Sequence, residues 1–246
     1  MNVKFIISLL VLFVYTFIKT KKSFHMLQQN WYNEGLRYIK WMLKNLKLVF
    51  LNYDLLFLVL AIFLNIKIDN MLLMSLVVIM YTILSLRYIN NKRKEQVKLE
   101  LKVTARVKRL FVTEAILYII PVILIMLHFN EHNLVIYYLI IGLFVYLNYI
   151  VTLVASYINF PIEKLLSLRF KLKAKRKLKN MPNLKVIGIT GSYGKTSSKN
   201  VLNDILGIKY NVLPTPKNFN TPVGLTITIN NYLDKFNDYM SANTAP

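Results

Sequence analysis

The sequence contains no cysteine. Disulfides, thiolate zinc sites and cysteine nucleophiles are therefore excluded from the chemistry of this protein. Acidic residues are also scarce, since 11 Asp and Glu stand against 32 Lys and Arg, a formal net charge of +21. A basic excess of this size indicates an anionic partner, such as lipid headgroups, nucleic acid or a phosphorylated substrate.

Charged residues make up only 17% of the chain, whereas apolar residues make up 55% and the mean hydropathy is +0.43. This balance is typical of a membrane protein and excludes an ordinary soluble chain. A membrane-spanning helix needs about 20 mainly apolar residues. Residues 1–160 therefore predict an α-helical multi-pass region with five transmembrane helices, at about 3–18, 48–66, 71–89, 110–129 and 134–158.

The basic residues between these spans predict their orientation, because Lys and Arg near span ends stay on the cytoplasmic side. Residues 19–47 contain seven, residues 87–109 contain nine, and residues 159–180 contain eight. The intervening loops contain Lys67 or none, and Lys4 alone precedes the first span. We therefore expect a protein of the cell membrane with its N-terminus outside and its C-terminal segment in the cytoplasm.

Two acidic residues, Asp54 and Glu114, fall inside predicted spans. An ionisable group within the membrane is costly and often marks a transport pathway, so a small transporter is one interpretation. The alternatives are that both carboxylates lie near the cytoplasmic interface, where they snorkel or pair with Lys47 or Arg109, and that they serve packing.

A basic stretch follows the last predicted span. Residues 161–183 alternate Lys and Arg with leucines, which predicts a juxtamembrane linker or helix bound to anionic lipid headgroups. Nucleic acid is the competing partner. The stretch has a single aromatic residue, Phe170, and directly adjoins a span, so we do not expect nucleic acid to bind.

From Lys185 the pattern changes to that of a phosphate-binding loop. Residues 186–190 form an apolar run of strand length, residues 191–196 contain two glycines followed by Lys-Thr, and apolar residues then recur at helical spacing. Loop glycines and a helix N-terminus can surround phosphate oxygens with N–H groups, lysine reaches the outer phosphates, and the Thr hydroxyl can bind Mg²⁺. The residues expected to bind ATP or another nucleoside triphosphate are Gly191, Ser192, Tyr193, Gly194, Lys195, Thr196 and Ser197, with Thr196 as the metal ligand.

The spacing of this loop departs from the usual pattern. A standard phosphate loop has four residues between its first glycine and the Gly-Lys pair, but only two residues separate Gly191 from Gly194. Ile189 occupies the position where the first glycine would stand. A structural turn therefore remains the alternative to a nucleotide site.

Two segments together resemble the Mur ligase family, the ATP-dependent amide-bond ligases of peptidoglycan precursor synthesis. They are Gly188-Ile189-Thr190-Gly191-Ser192-Tyr193-Gly194-Lys195-Thr196-Ser197 and Thr215-Pro216-Lys217-Asn218-Phe219-Asn220-Thr221-Pro222-Val223-Gly224. The resemblance implies that residues 184–246 begin the α/β ATP-binding central domain of such a ligase, with ATP and Mg²⁺ as cofactors. It also implies that ATP phosphorylates a substrate carboxylate and that an incoming amine then displaces phosphate.

The same resemblance implies roles for individual residues. Lys195 would act in catalysis by neutralising charge on the transferred phosphoryl group. Asn220, Thr221 and Pro222 match the segment that in the family lies beside the nucleotide and the UDP-muramoyl-peptide substrate. Their alternative role is a turn between a strand at 210–213 and a helix near 225–233.

The family pattern continues after a strand such as Asp238-Tyr239-Met240 into a glutamate that binds magnesium, and this sequence has no acidic residue there. We therefore expect a truncated Mur-type segment, the N-terminal part of a membrane-anchored ligase that is inactive by itself. The alternatives are a membrane scaffold or interaction protein, or a small transporter, with a residual phosphate loop.

Overall fold

A computed structural model describes residues 3–30, 36–64, 70–94, 100–128, 133–191, 193–216 and 219–243. The chain divides into two compact units, residues 1–161 and 162–246. It is mostly helical, with one small parallel sheet in the second unit. The helices that begin in the first unit are α1 (Val3–Gln29), α2 (Leu36–Lys44), α3 (Leu46–Val49), α4 (Tyr53–Leu64), α5 (Asn70–Lys94), α6 (Ala105–Leu127), α7 (Leu134–Tyr146) and α8 (Asn148–Lys179).

Three of the described helices are long and apolar enough to cross a membrane. They are Met71–Asn90 within α5, Ala105–Leu127 and Asn148–Lys179, and α7 is a shorter apolar helix. This finding is compatible with membrane insertion. The five-span count and the orientation stay predictions. Residues 65–66 of the second predicted span and residue 129 of the fourth lie outside the described residues.

Helix ends differ from the predicted spans in several places. The helix at the N-terminus continues past residue 18 to Gln29, and a break at residues 50–52 separates α3 from α4. Helix α8 continues through Pro161, so the basic stretch that follows is helical as far as Lys179. Hydropathy marks where a helix is apolar, and these helices extend into polar residues that favour helix equally well.

Aromatic and aliphatic side chains pack the first unit around α1. Phe5, Leu12 and Tyr15 of α1 are buried together with Val77 and Tyr81 of α5. The Tyr15 and Tyr81 rings lie 5.2 Å apart between centroids. The spacing of seven and three residues places the α1 side chains on one helical face, which is why α1 and α5 pack along their length.

A turn at Leu147 divides the apolar run that we predicted as one helix over 134–158. A break in a helix frees carbonyl groups that need donors. The Lys19 Nζ atom supplies them, since it donates to the carbonyl oxygens of Val145 at 2.8 Å and Tyr146 at 3.3 Å. The Asn148 side chain donates to Thr20 Oγ1 at 2.8 Å, which binds the start of α8 to α1.

The two acidic residues of the predicted spans are buried with partners other than those expected. Asp54 forms an ion pair with Lys19 at 2.5 Å, so its expected pairing with Lys47 is wrong. Glu114 accepts hydrogen bonds from Thr20 at 2.8 Å and Thr152 at 3.0 Å. These contacts connect α1 with α4, α6 and α8, and they give both carboxylates a role in packing.

The second unit contains a three-stranded parallel sheet in the order β1-β3-β2. After α8 its elements are β1 (Lys185–Ile189), α9 (Lys195–Gly207), β2 (Val212–Pro214), α10 (Pro222–Asn231) and β3 (Tyr239–Asn243). The central strand β3 is buried from Met240 to Asn243 and consists of small residues after Met240. Because all three strands are parallel, the loops that follow β1 and β2 leave the sheet at the same edge.

Candidate phosphate-binding site

Two glycines shape the loop between β1 and α9. Gly191 has φ +149° and Gly194 has φ +75°. Residues with a side chain rarely adopt these backbone conformations, so glycine is needed at both positions. Ser192, one of the residues expected to bind ATP, lies outside the described residues.

The first turn of α9 presents its backbone N–H groups at this loop. Gly194 is the N-cap residue and offers no side-chain acceptor to the first amides of the helix. A helix N-terminus without a side-chain cap can accept an anion through these N–H groups and the helix dipole. A Cβ atom built at Gly194 would meet no heavy atom within 4 Å, so the space beside the loop is open.

Lys195 lies where the loop joins the helix. It is half-buried, and its Nζ atom donates to the Gly191 carbonyl oxygen, which holds the side chain back along the loop. Thr196 and Ser197 are exposed on the first turn, and Tyr193 is 96% exposed. The described loop residues thus leave the first turn of α9 open to solvent, and Tyr193 projects away into it.

The structure adds a second lysine that the sequence interpretation missed. Lys199 is only 3% exposed, and its Nζ atom donates to the Thr215 carbonyl oxygen at 2.7 Å and to Thr215 Oγ1 at 3.3 Å. Burial lowers the pKa of Lys199 below its usual range. The sequence contains a signal for this residue, because Lys195 and Lys199 have the four-residue spacing that places two side chains on one helical face. Lys199 therefore connects the phosphate-loop helix to the start of the second motif.

The second motif forms the beginning of α10. Thr221 is the N-cap, its Oγ1 accepts a hydrogen bond from the Gly224 amide at 3.1 Å, and Pro222 is the first helical residue. Gly224 is required for packing, since a Cβ atom there would lie 2.9 Å from Phe219 Cβ. Asn220 is exposed just before the helix. The strand and helix expected at 210–213 and 225–233 are Val212–Pro214 and Pro222–Asn231.

The sheet brings the starts of the two motifs to a common edge. Ile189 at the end of β1 is in register with Asn243, and Pro214 at the end of β2 is in register with Ser241. Together with the Lys199 to Thr215 contact, this places the first residue of the second motif on the same side of the sheet as the glycine loop. Substrate contacts by Asn220, Thr221 and Pro222 stay a prediction.

The architecture defines a mostly helical protein with a small parallel α/β unit whose glycine loop precedes a helix. A 45-residue stretch of the chain is 47% identical to UDP-N-acetylmuramoyl-tripeptide--D-alanyl-D-alanine ligase of Bacillus subtilis (strain 168). The match covers 18% of this chain and a tenth of that ligase's length. No family model and no solved structure matches the chain. The similarity supports a relationship to Mur ligases over this short stretch.

Proposed function

We propose that residues 184–243 bind the phosphates of ATP together with Mg²⁺, as the nucleotide-binding part of a membrane-anchored Mur-type ligase. The observation that supports this most strongly is the loop from Gly191 to Gly194. Two glycines with positive φ lead there into a helix whose first amides have no side-chain cap. Such a helix N-terminus favours a multiply charged phosphate.

The residues fit a nucleotide-bound magnesium ion better than a free one. No group of three or more His, Cys, Asp or Glu residues that could hold a metal occurs in the described part of the chain. Mg²⁺ commonly keeps several waters and takes its remaining ligands from phosphates and one or two protein oxygens. The Thr196 hydroxyl is exposed on the first turn of α9 and would be the protein ligand. We therefore expect Mg²⁺ to bind only with the nucleotide.

Lys195 and the loop amides have distinct roles in this proposal. The amides of residues 193–196 hold the phosphate chain in place, and Lys195 turns from the Gly191 carbonyl to the outer phosphates, where it offsets their negative charge. ATP supplies the phosphoryl group that activates a carboxylate. Lys199 binds no phosphate in this scheme, because its Nζ atom is occupied by Thr215, and it positions the second motif.

The proposed substrate is inferred from the similar Bacillus subtilis ligase and not from the geometry of the site. The name of the Bacillus subtilis ligase specifies a UDP-N-acetylmuramoyl-tripeptide and D-alanyl-D-alanine. We propose a UDP-muramoyl-peptide as the substrate class of the ligase to which this segment corresponds. Asn220 would contact substrate or nucleotide, whereas Thr221 and Pro222 fix the start of α10.

The proposed location is the cytoplasmic side of the cell membrane. The three long apolar helices are compatible with insertion, and the basic loops favour an orientation with residues 161–246 in the cytoplasm, where ATP is present. The basic part of α8 would lie against anionic lipid headgroups.

The proposal is tested by titrating the full chain in neutral detergent with a fluorescent ATP analogue and Mg²⁺. Lys195→Ala removes a charged hydrogen-bond donor and should weaken binding by about 10- to 100-fold. Lys209→Ala is the matched control, because it removes the same charge beyond the other end of α9. Equal affinities of wild type and Lys195→Ala, or an equal loss in Lys209→Ala, would contradict the proposal.

A further inference from the structure

The first unit contains a cavity of about 1000 Å³. Its walls come from α1, from the segment around α3 and the start of α4, from the end of α5, and from Tyr149 of α8. Five Lys and Arg side chains line it together with His25, and they are Lys19, Lys21, Lys22, Lys47 and Arg87. The carboxylates that line it are Asp54 and Glu100.

The charges in this cavity do not cancel. Lys19 and Asp54 neutralise each other in a buried ion pair, so among the described lining residues Lys21, Lys47 and Arg87 stand against Glu100. Arg87 lies over the Tyr53 ring at 4.2 Å from its centroid, and this contact holds the guanidinium in place without removing its charge. Lys21 and Lys47 are exposed side chains on two different walls. The cavity therefore has a positive potential suited to an anion.

The apolar walls distinguish this cavity from a site for a free anion. Leu48, Leu51 and Ile89 line it and are 40%, 66% and 41% exposed. The cations lie where the apolar part of α1 ends and near the end of α5, so positive charge adjoins the hydrophobic lengths of these helices. A ligand that satisfies both kinds of wall has an anionic head and a hydrocarbon chain.

We propose that this cavity binds the phosphate headgroup of an anionic membrane lipid, with the start of its hydrocarbon chain against Leu48, Leu51 and Ile89. Phosphate is favoured over carboxylate because it offers more acceptor oxygens and can carry more negative charge to the several cations that line the cavity. The cavity volume lies at the upper end of the range for small-molecule sites. All lining residues belong to the first unit, so the proposal is independent of ATP binding by the second.

The test uses the full chain in neutral maltoside detergent and dodecyl phosphate as the probe, with inorganic phosphate as the second arm. The triple substitution Lys21→Gln, Lys47→Gln and Arg87→Gln removes three exposed cations of the cavity. The control removes three exposed lysines of the same unit that do not line it: Lys40→Gln, Lys44→Gln and Lys108→Gln. Binding is measured by calorimetry, and the fold is checked by circular dichroism.

We expect dodecyl phosphate to bind the wild type and to bind the cavity triple variant about 100-fold more weakly. The control triple variant should stay within about threefold of wild type. The exchange variant Lys21→Arg, Lys47→Arg and Arg87→Lys keeps the charges and should retain binding. If the cavity triple variant does not fold, the three single substitutions decide, each with an expected loss of about fivefold.

Three results would overturn the proposal. Equal losses in the cavity and control variants would mean that general surface charge attracts the probe. Inorganic phosphate that binds as tightly as dodecyl phosphate would mean that the apolar walls hold no chain. An unchanged affinity in the cavity variants would mean that the cations do not contact the headgroup. Lys195→Ala should leave dodecyl phosphate binding intact, which separates this test from that of ATP binding.

Discussion

Removing one partner of the Lys19–Asp54 ion pair should destabilise the first unit strongly. The Lys19 and Asp54 side chains are only 4% and 1% exposed, and their N···O distance is 2.5 Å. Asp54→Asn keeps the volume of the side chain but leaves the Lys19 ammonium buried without its counter-charge. Breaking a buried pair in this way costs about 3–5 kcal/mol of unfolding free energy.

A double-substitution cycle separates the contribution of the Lys19–Asp54 ion pair from that of the other hydrogen bonds of Lys19. Lys19→Met removes the ammonium that also bonds the Val145 and Tyr146 carbonyls at the end of α7. It should therefore cost at least as much as Asp54→Asn. In Lys19→Met with Asp54→Asn no buried charge remains, so the double variant should lose about 3–5 kcal/mol, far less than the sum of the two single losses.

The assay is unfolding in mixed micelles, in which SDS is added to the protein in dodecyl maltoside and helix content is followed by circular dichroism. Each variant yields an unfolding free energy, and the cycle yields the coupling between the two residues. Single losses that add to within about 0.5 kcal/mol in the double variant would show that Lys19 and Asp54 are not coupled. So would an Asp54→Asn variant as stable as wild type.

Three further predictions concern the second unit and the topology. In thermal unfolding, Gly224→Ala should destabilise the second unit, because the new Cβ would lie only 2.9 Å from Phe219 Cβ. Gly207→Ala is the control: its Cβ would meet no heavy atom within 4 Å, so the substitution should be neutral or stabilise by up to about 1 kcal/mol. The pKa of Lys199 is lowered by burial, so the folded state binds fewer protons than the unfolded one as pH rises toward the usual lysine pKa of about 10.4. Wild-type stability should therefore rise with pH relative to Lys199→Met, and a falling difference between pH 7 and pH 10 would contradict this. Single cysteines at Asn91 and Asn133 should react with an impermeant reagent from opposite sides of the membrane, and labelling of Asn91→Cys from outside intact cells would refute the orientation.

Local patterns predicted the elements that flank the glycine loop. The apolar run before Thr190 is β1, and α9 begins at Lys195, directly after Gly194. Both elements are determined by residues close together in the sequence. The length of an apolar run, a glycine and the helical spacing of apolar residues are each visible within a few positions. The position of β3 between β1 and β2 was not predictable in this way, because it depends on pairing between residues 27 and 54 positions apart.

Long-range polar contacts account for what the sequence interpretation missed in the first unit. By hydropathy, residues 134–158 are one apolar run, and the pattern does not predict the turn at Leu147. The turn is stabilised by Lys19, which lies 126 positions before Val145. Asp54 was matched to Lys47 because that lysine is near in sequence, whereas α1 brings Lys19 to it in space.

We propose that the loop between β1 and α9 binds the phosphates of ATP. Hydrogen exchange of the full chain, measured by mass spectrometry with and without millimolar Mg-ATP, tests it at the residues concerned. We predict slower exchange at the amides of residues 191–198, weaker protection in Lys195→Ala, and no protection with adenosine. Unchanged exchange in this segment, or protection confined to the first unit, would contradict the claim.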